Sequence, residues 1–421
     1  METQKIKIEK LVSGGHGLGY LDGRVILTPF SAPGDELLID IERARKGVTW
    51  GNIKQILSPS PSRIEPFCPH YTECGGCQLQ HISYAAQLEC KRLMLDDALR
   101  RLAGLKDADV CPCIASSLNT GYRSRVRLHC DKGRVGFHKS RSNTIVPVAH
   151  CPVLTDNINA CLEQLSAYIS EHPIKGLSEI QISEDTDARI ILALEMDSLP
   201  DTRLIDELKD KITVSGAVAK VGHEKHLLWG DDHSTFSVEG KSFRVGMGSF
   251  FQANISLVPI LIKEMLDTVS SHDVSMGVEL YAGVGVFCIT LSGRIRSLVA
   301  VEWNRDAVDD AKANLNANQI KNVEVLALSA EDALDVLISR DLEPELVVLD
   351  PPREGLSKAV RDKLIQLSPQ QLVYVSCDPA TLARDIKSIL ASGAYHLEKV
   401  QPLDMFPHTS HIETVCSIEK D

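Results

Sequence analysis

The chain has 421 residues, 43% apolar and 24% charged, and carries a net charge of −12. That composition excludes disorder, collagen and a bundle of membrane spans, and the length favours two or three domains. An acidic total argues against a protein that coats nucleic acid indiscriminately, but it leaves room for a local basic face. Twelve cysteines are too few for a secreted disulfide scaffold. The N-terminus alternates charges without an apolar stretch, and no apolar run reaches membrane-spanning length. A cytoplasmic, monomeric protein with no membrane partner is expected, in which clustered thiols bind metal or do chemistry.

Residues 1–58 read as short strands broken by glycines: Arg24–Thr28, Glu36–Ile41 and Gly51–Ile56. Such spacing predicts a small β-barrel. Ser58-Pro-Ser-Pro-Ser62 reads as a stiff linker,. A second domain is expected over 59–245. It begins with a cysteine cluster at 68–77, followed by a helix from about Ser83 to Leu102 with apolar residues at helical spacing,. Mixed structure follows, with strands at Arg123–His129 and Ala188–Leu194 and a helix over Asp156–His172. From 246 to 421 strands and helices alternate: Gly277–Tyr281, Ser297–Glu302, Val323–Leu328, Glu345–Asp350 and Gln371–Cys377, with helices such as Asp306–Gln319 and Ala380–Ala391 between them. That order predicts a doubly wound α/β domain with a parallel sheet, whose ligands lie beyond the carboxyl ends of its strands.

The first of those ends reads Glu279-Leu-Tyr-Ala-Gly-Val-Gly285. An acid, three residues and then Gly-x-Gly, with Cys288 where a dinucleotide site has its third glycine, is the pattern used for S-adenosylmethionine. Glu302, about twenty residues on, can accept from ribose hydroxyls. The fourth strand ends in Asp350-Pro-Pro-Arg-Glu-Gly355, whose prolines stiffen the ligand edge,. Amino-methyltransferases place an aromatic residue after Asp-Pro-Pro; Arg353 argues against that chemistry. The fifth strand ends in Ser376-Cys377-Asp378-Pro379. A cysteine there can be a buried small hydrophobe, or a thiolate favoured by a helix N-terminus. Beside a methyl-donor pocket such a thiolate adds to C6 of a pyrimidine and makes C5 nucleophilic. The C5 proton then needs a base, for which Glu413, His408 and His411 compete.

Cys68, Cys74 and Cys77 within ten residues signal a metal, with Cys151 the best fourth ligand. From spacing alone, zinc and a [4Fe–4S] cluster are equally good fits. Residues 121–145 hold seven basic residues against Asp131, and Arg123, Arg125 and Arg127 alternate along a strand, so all three point one way,. A charged strand edge would look similar, but a single-sign cluster among aromatic residues favours phosphate binding.

Together these residues resemble the RNA uracil-C5 (5-methyluridine) methyltransferase family, most closely its iron–sulfur branch that acts on 23S rRNA. The resemblance rests on Cys68-x5-Cys74-Gly-Gly-Cys77-x-Leu-Gln-His81, Gly248-Ser-Phe-Phe-Gln-Ala-Asn254, Leu349-Asp-Pro-Pro-Arg-Glu-Gly355, Val375-Ser-Cys-Asp-Pro379 and Phe406-Pro-His-Thr-Ser-His-Ile-Glu413. It implies an OB-like, TRAM-like barrel at 1–58, a central α+β iron–sulfur domain at 59–245 and a Rossmann-like methyltransferase domain at 246–421. It implies further that Cys377 is the nucleophile and Glu413 the base. Gln252, Tyr281, Glu302 and Asp350 would contact S-adenosylmethionine, and Cys68, Cys74, Cys77 and Cys151 would hold a [4Fe–4S] cluster, with zinc the lesser alternative. The chain departs from the family pattern at Ser329 and Val286. The resemblance leaves the helix at 83–102 free to pack with the catalytic rather than the central domain. The implied reaction is covalent methylation of a uridine flipped out of structured RNA, with 23S rRNA favoured over tRNA. The rival readings are cytosine-C5 methylation, which usually places a cysteine where this chain has Asp350-Pro-Pro, and a non-catalytic iron–sulfur RNA-binding module.

Overall fold

The computed structural model describes residues 3–42, 47–269 and 274–421. Strands β1 (Thr3–Val12), β2 (His16–Leu21), β3 (Arg24–Thr28), β4 (Glu36–Ile41) and β5 (Thr49–Ser58) close a barrel of order β1-β2-β3-β5-β4. Alternate residues of these strands point inward, so Ile6, Ile8, Ile26, Leu37 and Ile39 fill its centre,. The serine–proline stretch after β5 is pinned rather than free. Asp35 accepts from the Ser60 amide (2.9 Å) and pairs with Arg63 (2.7 Å).

The helix expected over 83–102 appears as α1 (Tyr84–Ala98), which widens into a single π-helical turn, Leu99–Ala103,. It packs on the C-terminal domain: Leu95 and Leu99 join the core that contains Leu382, Ala383 and Ile386. A seven-stranded sheet of order β12-β11-β10-β9-β6-β7-β8 comes next. It comprises β6 (Arg125–Asp131), β7 (Arg134–His138), β8 (Ile145–Pro147), β9 (Leu177–Glu184), β10 (Ile190–Met196), β11 (Gly216–Val221) and β12 (Glu224–Gly230). Helices α2 (Asp156–Glu171) and α3 (Thr202–Lys211) cover it. A hairpin of β13 (His233–Val238) and β14 (Lys241–Gly246) leads to α4 (Val258–Thr268).

The last sheet has the order β17-β16-β15-β18-β19-β21-β20. Its strands are β15 (Val274–Leu280), β16 (Ile295–Val301), β17 (Val323–Leu326), β18 (Leu346–Leu349), β19 (Gln371–Ser376), β20 (Tyr395–Leu403) and β21 (Glu413–Lys420). Helices α5 (Val286–Leu291), α6 (Arg305–Ala317), α7 (Ala330–Ser339), α8 (Lys358–Leu367) and α9 (Pro379–Leu390) alternate with them. The five strands expected are present and parallel. The sheet is not parallel throughout, because β21 inserts antiparallel between β19 and β20. The order in which strands are added to the sheet reverses between β15 and β18, the position where open α/β sheets bind ligands. Among the described residues no helix is long and apolar enough to cross a membrane.

A fully buried ion pair, Lys91 to Asp404 (2.5 Å), ties α1 to the segment after β20, and Lys91 also donates to the Phe406 carbonyl (3.0 Å). Removing one partner strands a charge in an apolar frame. Lys91→Ala should therefore lower unfolding free energy by about 3–5 kcal/mol, measured by denaturant titration. A loss below ~1 kcal/mol would contradict this account.

Candidate active site

The glycine turn after β15 is left-handed: Tyr281 has φ +65°, Gly283 +55° and Gly285 +91°. A Cβ at Gly283 would meet nothing within 4 Å, so backbone conformation, not crowding, requires glycine there. Tyr281 takes the same region without being glycine, a strain that the surrounding packing must hold. Glu302, after β16, faces this turn. Its Oε2 accepts from the Gly283 amide (2.9 Å), and Oε1 accepts from the Trp303 and Asn304 amides (both 2.8 Å). Three backbone donors thus fix the carboxylate and leave about one lone-pair site for a ligand hydroxyl.

Glu279 lies fully buried at the end of β15 with Oε2 unpartnered, and burial pushes its carboxyl up to about 8. Burial likewise pushes Asp350, after β18, up to about 7. Charges on Asp350 and Glu302 also act on Glu279, so the three acids lie near one another. Gln252, in the segment between β14 and α4, is buried with its Oε1 unpartnered.

Ser376 pairs with Thr414 across β19 and β21. That register sets Cys377 beside Glu413, the first residue of β21. Burial raises the Glu413 carboxyl well above the usual range, Asp350 adds to the effect and Arg353 opposes it. The same neighbours act on Cys377, whose thiol burial pushes up to about 12. This corrects the expectation of thiolate character from the helix N-terminus. Asp378 takes up the first free amides of α9, Ala380 (3.0 Å) and Thr381 (2.9 Å), and the carboxyls of Glu413, Asp350 and Asp378 all act on the sulfur. Of the competing bases, His408 is buried with its ring against Gln87 (3.1 Å). His411 lies 3.0 Å from Arg353, and its pKa is lowered to about 4 by burial and that arginine. Both histidines are thus engaged by other residues, whereas the Glu413 carboxyl acts directly on the Cys377 thiol.

Two positions escaped the sequence. Asp385 in α9 is buried and accepts from the Leu356 amide (2.7 Å), Tyr374 (2.9 Å) and Arg361 (2.8 Å), so it braces the loop after β18. Phe250 is 67% exposed and overhangs a cleft of about 650 Å³. Nothing in a Phe-Phe pair tells which ring turns outward. Arg123, Arg125 and Arg127 line that cleft opposite Gly248–Phe251 and Arg353, as alternation predicts. Their depths differ: Arg125 is buried, while Arg127 pairs with Glu179 (3.6 Å) near the rim.

Cys68, Cys74, Cys77 and Cys151 line one cavity of about 230 Å³, with Tyr122, Phe137, Val148 and Leu154 in its wall and Arg123 and Arg127 shared with the cleft. Among the described residues, no three His, Cys, Asp or Glu side chains converge as ligands of a single ion.

Strand order, glycine turn and the acid after β16 define an S-adenosylmethionine-dependent methyltransferase. Residues 83–421 match the family described as tRNA (Uracil-5-)-methyltransferase, and residues 1–53 match the TRAM domain. The chain is 31% identical to a 23S rRNA (uracil(1939)-C(5))-methyltransferase of Vibrio parahaemolyticus, covering 99% of this chain and 96% of that one. It is 33% identical to an uncharacterized RNA methyltransferase of Aquifex aeolicus, over 99% and 98%. Among solved structures it is similar to the Pyrococcus abyssi tRNA (uracil-54, C5)-methyltransferase in complex with S-adenosyl-L-homocysteine, with a TM-score of 0.76, 27% identity, and 99% and 100% of the two chains covered. The chain belongs to the RNA uracil-C5 methyltransferase family.

The Glu279 carboxyl gives a stability prediction with a definite sign. Its folded pKa, about 8, lies above the ordinary 4.5, so its contribution is complete below about 4.5 and is lost as pH rises through 8. Glu279→Gln should flatten the fall of melting temperature between about pH 4.5 and 8,; parallel curves for the two proteins would refute the assignment.

Proposed function

We propose that this chain transfers a methyl group from S-adenosylmethionine to C5 of a uridine in structured RNA through a covalent bond between Cys377 and C6. The observation that carries this reading is the pairing of Ser376 with Thr414, which joins a thiol, a buried carboxyl and the ligand edge of the sheet. S-adenosylmethionine, when bound, supplies the methyl group. Gln252, Tyr281, Glu302 and Asp350 would hold it: Gln252 offers an unpartnered oxygen and Glu302 a pre-set carboxylate. The neighbouring acids Glu279, Glu302 and Asp350 suit a cationic ligand,.

The reaction then runs on this chain's own groups. The target base, flipped from its stack, enters past Phe250. Cys377 Sγ adds to C6 while its proton passes to the adjoining carboxyl pair. C5 gains the negative charge and bonds to the methyl carbon, whose bond to the donor's sulfonium sulfur breaks with its electrons staying on that sulfur, so the donor leaves as a neutral thioether. Glu413 removes the C5 proton, the C6–S bond breaks with its electrons returning to sulfur, and one net proton leaves to solvent. Arg353 supplies positive charge beside both Cys377 and Glu413. The TRAM-like barrel at 1–58 and the arginine face of the 59–245 domain would hold the RNA, leaving catalysis to 246–421.

Cys68, Cys74, Cys77 and Cys151 would hold a [4Fe–4S] cluster. They line the wall of a cavity, whereas one zinc needs all four sulfurs within about 2.3 Å of a single point,. Burial raises three of these thiols, with their mutual charges contributing, so cationic metal suits the set. Its role is structural, since methyl transfer moves no net electrons.

The RNA is 23S rRNA on the strength of the full-length bacterial relative. The archaeal structure makes tRNA the second reading. Mapping 5-methyluridine in both RNAs from cells with and without the gene separates them: loss from tRNA alone would overturn the first.

Cys377→Ala should abolish methylation, and methylation by that variant would sink the mechanism. Glu413→Gln should slow turnover by about 10²–10⁴-fold and accumulate an RNA–protein adduct that survives denaturing gels. Because Asp350 holds its proton up to about 7, kcat should rise with pH through that region, as base is freed. Anaerobically purified protein should absorb near 400 nm; equimolar zinc without that band would replace the cluster.

A further inference from the structure

The cysteine loop does more than enclose a cavity, because its far side is bonded to the loop that carries the catalytic base. The amides of Gln78 and Leu79, directly after Cys77, both donate to the carbonyl of His408 (3.0 and 2.9 Å). The Gln78 side chain completes the clamp. Its Oε1 accepts from the Ser410 amide (3.2 Å), and its Nε2 donates to the carbonyl of Gly75, between Cys74 and Cys77 (2.9 Å). His408 is held from the other side by Gln87 of α1, whose oxygen accepts from the His408 amide (3.0 Å). His408 itself takes φ +66°, a conformation that persists only where surroundings over-determine it. Thr409 lines the cysteine cavity, so this loop forms part of its wall. Packing leaves no slack: a Cβ at Gly15 of the barrel would lie 3.1 Å from Gln78 and 3.2 Å from Ser410. Two residues further on, His411 meets Arg353 (3.0 Å), and Glu413 follows at the start of β21.

We propose that Gln78 is a positioning residue through which the metal-bearing cysteine loop sets residues 408–413, and with them Arg353 and Glu413. It touches neither RNA nor methyl donor. The inference rests on the roles given above to Glu413 and Arg353. It gives the cluster a definite use in a reaction without electron transfer: metal bonds to Cys68, Cys74 and Cys77 would hold the loop, and Gln78 passes that rigidity on.

Hydrogen–deuterium exchange on the full chain tests it without relying on turnover. In wild-type protein, stripping the metal with a chelator should speed amide exchange at 408–413, while the β15–β18 core stays protected. Gln78→Ala should reproduce that faster exchange with iron content and 400 nm absorbance retained. It should also lower kcat about tenfold, leave KM for S-adenosylmethionine unchanged, and slow decay of the RNA adduct. Gln78→Glu keeps an acceptor for the Ser410 amide and should recover most of kcat. Equal exchange at 408–413 in loaded and stripped wild-type protein overturns the proposal, even if the alanine variant fails to fold. So does a Gln78→Ala protein with unchanged exchange and kcat. If the wild-type chain makes no 5-methyluridine, the functional reading fails instead, and the exchange comparison still decides the coupling.

Discussion

The site depends on one backbone pairing, that of β19 with β21. A wholly parallel sheet would carry the strand after β19 back through a helix, with its start at the opposite edge of the sheet. Here the chain continues through α9 to β20 and returns as β21, antiparallel to β19, from Ser376↔Thr414 to Gln371↔Glu419. The amino end of β21 therefore meets the carboxyl end of β19. Cys377 and Glu413 become neighbours although 36 positions separate them in sequence. Shifting the register by one residue would turn Glu413 to the other face of the sheet, so the fully buried run of β19 and β21 fixes chemistry as well as packing.

The same burial governs the charge state of the site. Glu279, Asp350 and Glu413 sit in a frame built from Val278, Leu280, Leu349, Val375 and Val415, where an isolated carboxylate is expensive. Each is consequently pushed towards its neutral form. Glu302 differs in that three backbone amides solvate it. This division suits a site that must receive a positively charged ligand. The unsolvated acids gain the interaction that folding denied them, whereas the solvated one gives geometry.

Much of this is legible in the sequence, and what is not has a common cause. The Gly-x-Gly turn, Glu302 and the strand ends at Asp350 and Cys377 are local patterns, and the fold places them where those patterns say. The four cysteines could be grouped because metal chemistry demands a fourth ligand for Cys68, Cys74 and Cys77. Non-local facts were beyond reach. Glu413, His408 and His411 look equivalent in a polar stretch, and only the return of β21 separates them. The seat of α1 depends on Leu95 and Leu99 meeting Leu382 and Ile386, which no helical period reveals. The thiol of Cys377 looked activated by a helix start, yet Asp378, its own neighbour, caps that helix.

The acidity of the chain also reads differently once the cleft is resolved. Three of its bases are matched by acids: Arg127 with Glu179, Lys220 with Glu195 and Lys225 with Asp306. Among the described residues, no carboxylate lies within ion-pair distance of Arg123, Arg125 or Arg353. Phosphates laid along the outer cleft must compete with pairs already made, each worth less than ~1 kcal/mol where exposed. A phosphate reaching the inner three meets guanidiniums that no carboxylate pairs directly, and in Arg125 one whose Nε has no partner. Attraction therefore grows towards the end where Phe250 and Arg353 stand. In the proposed reaction, an RNA that threads a nucleotide inward would reach the arginines that no acid pairs, and selectivity would follow from how readily that nucleotide leaves its stack.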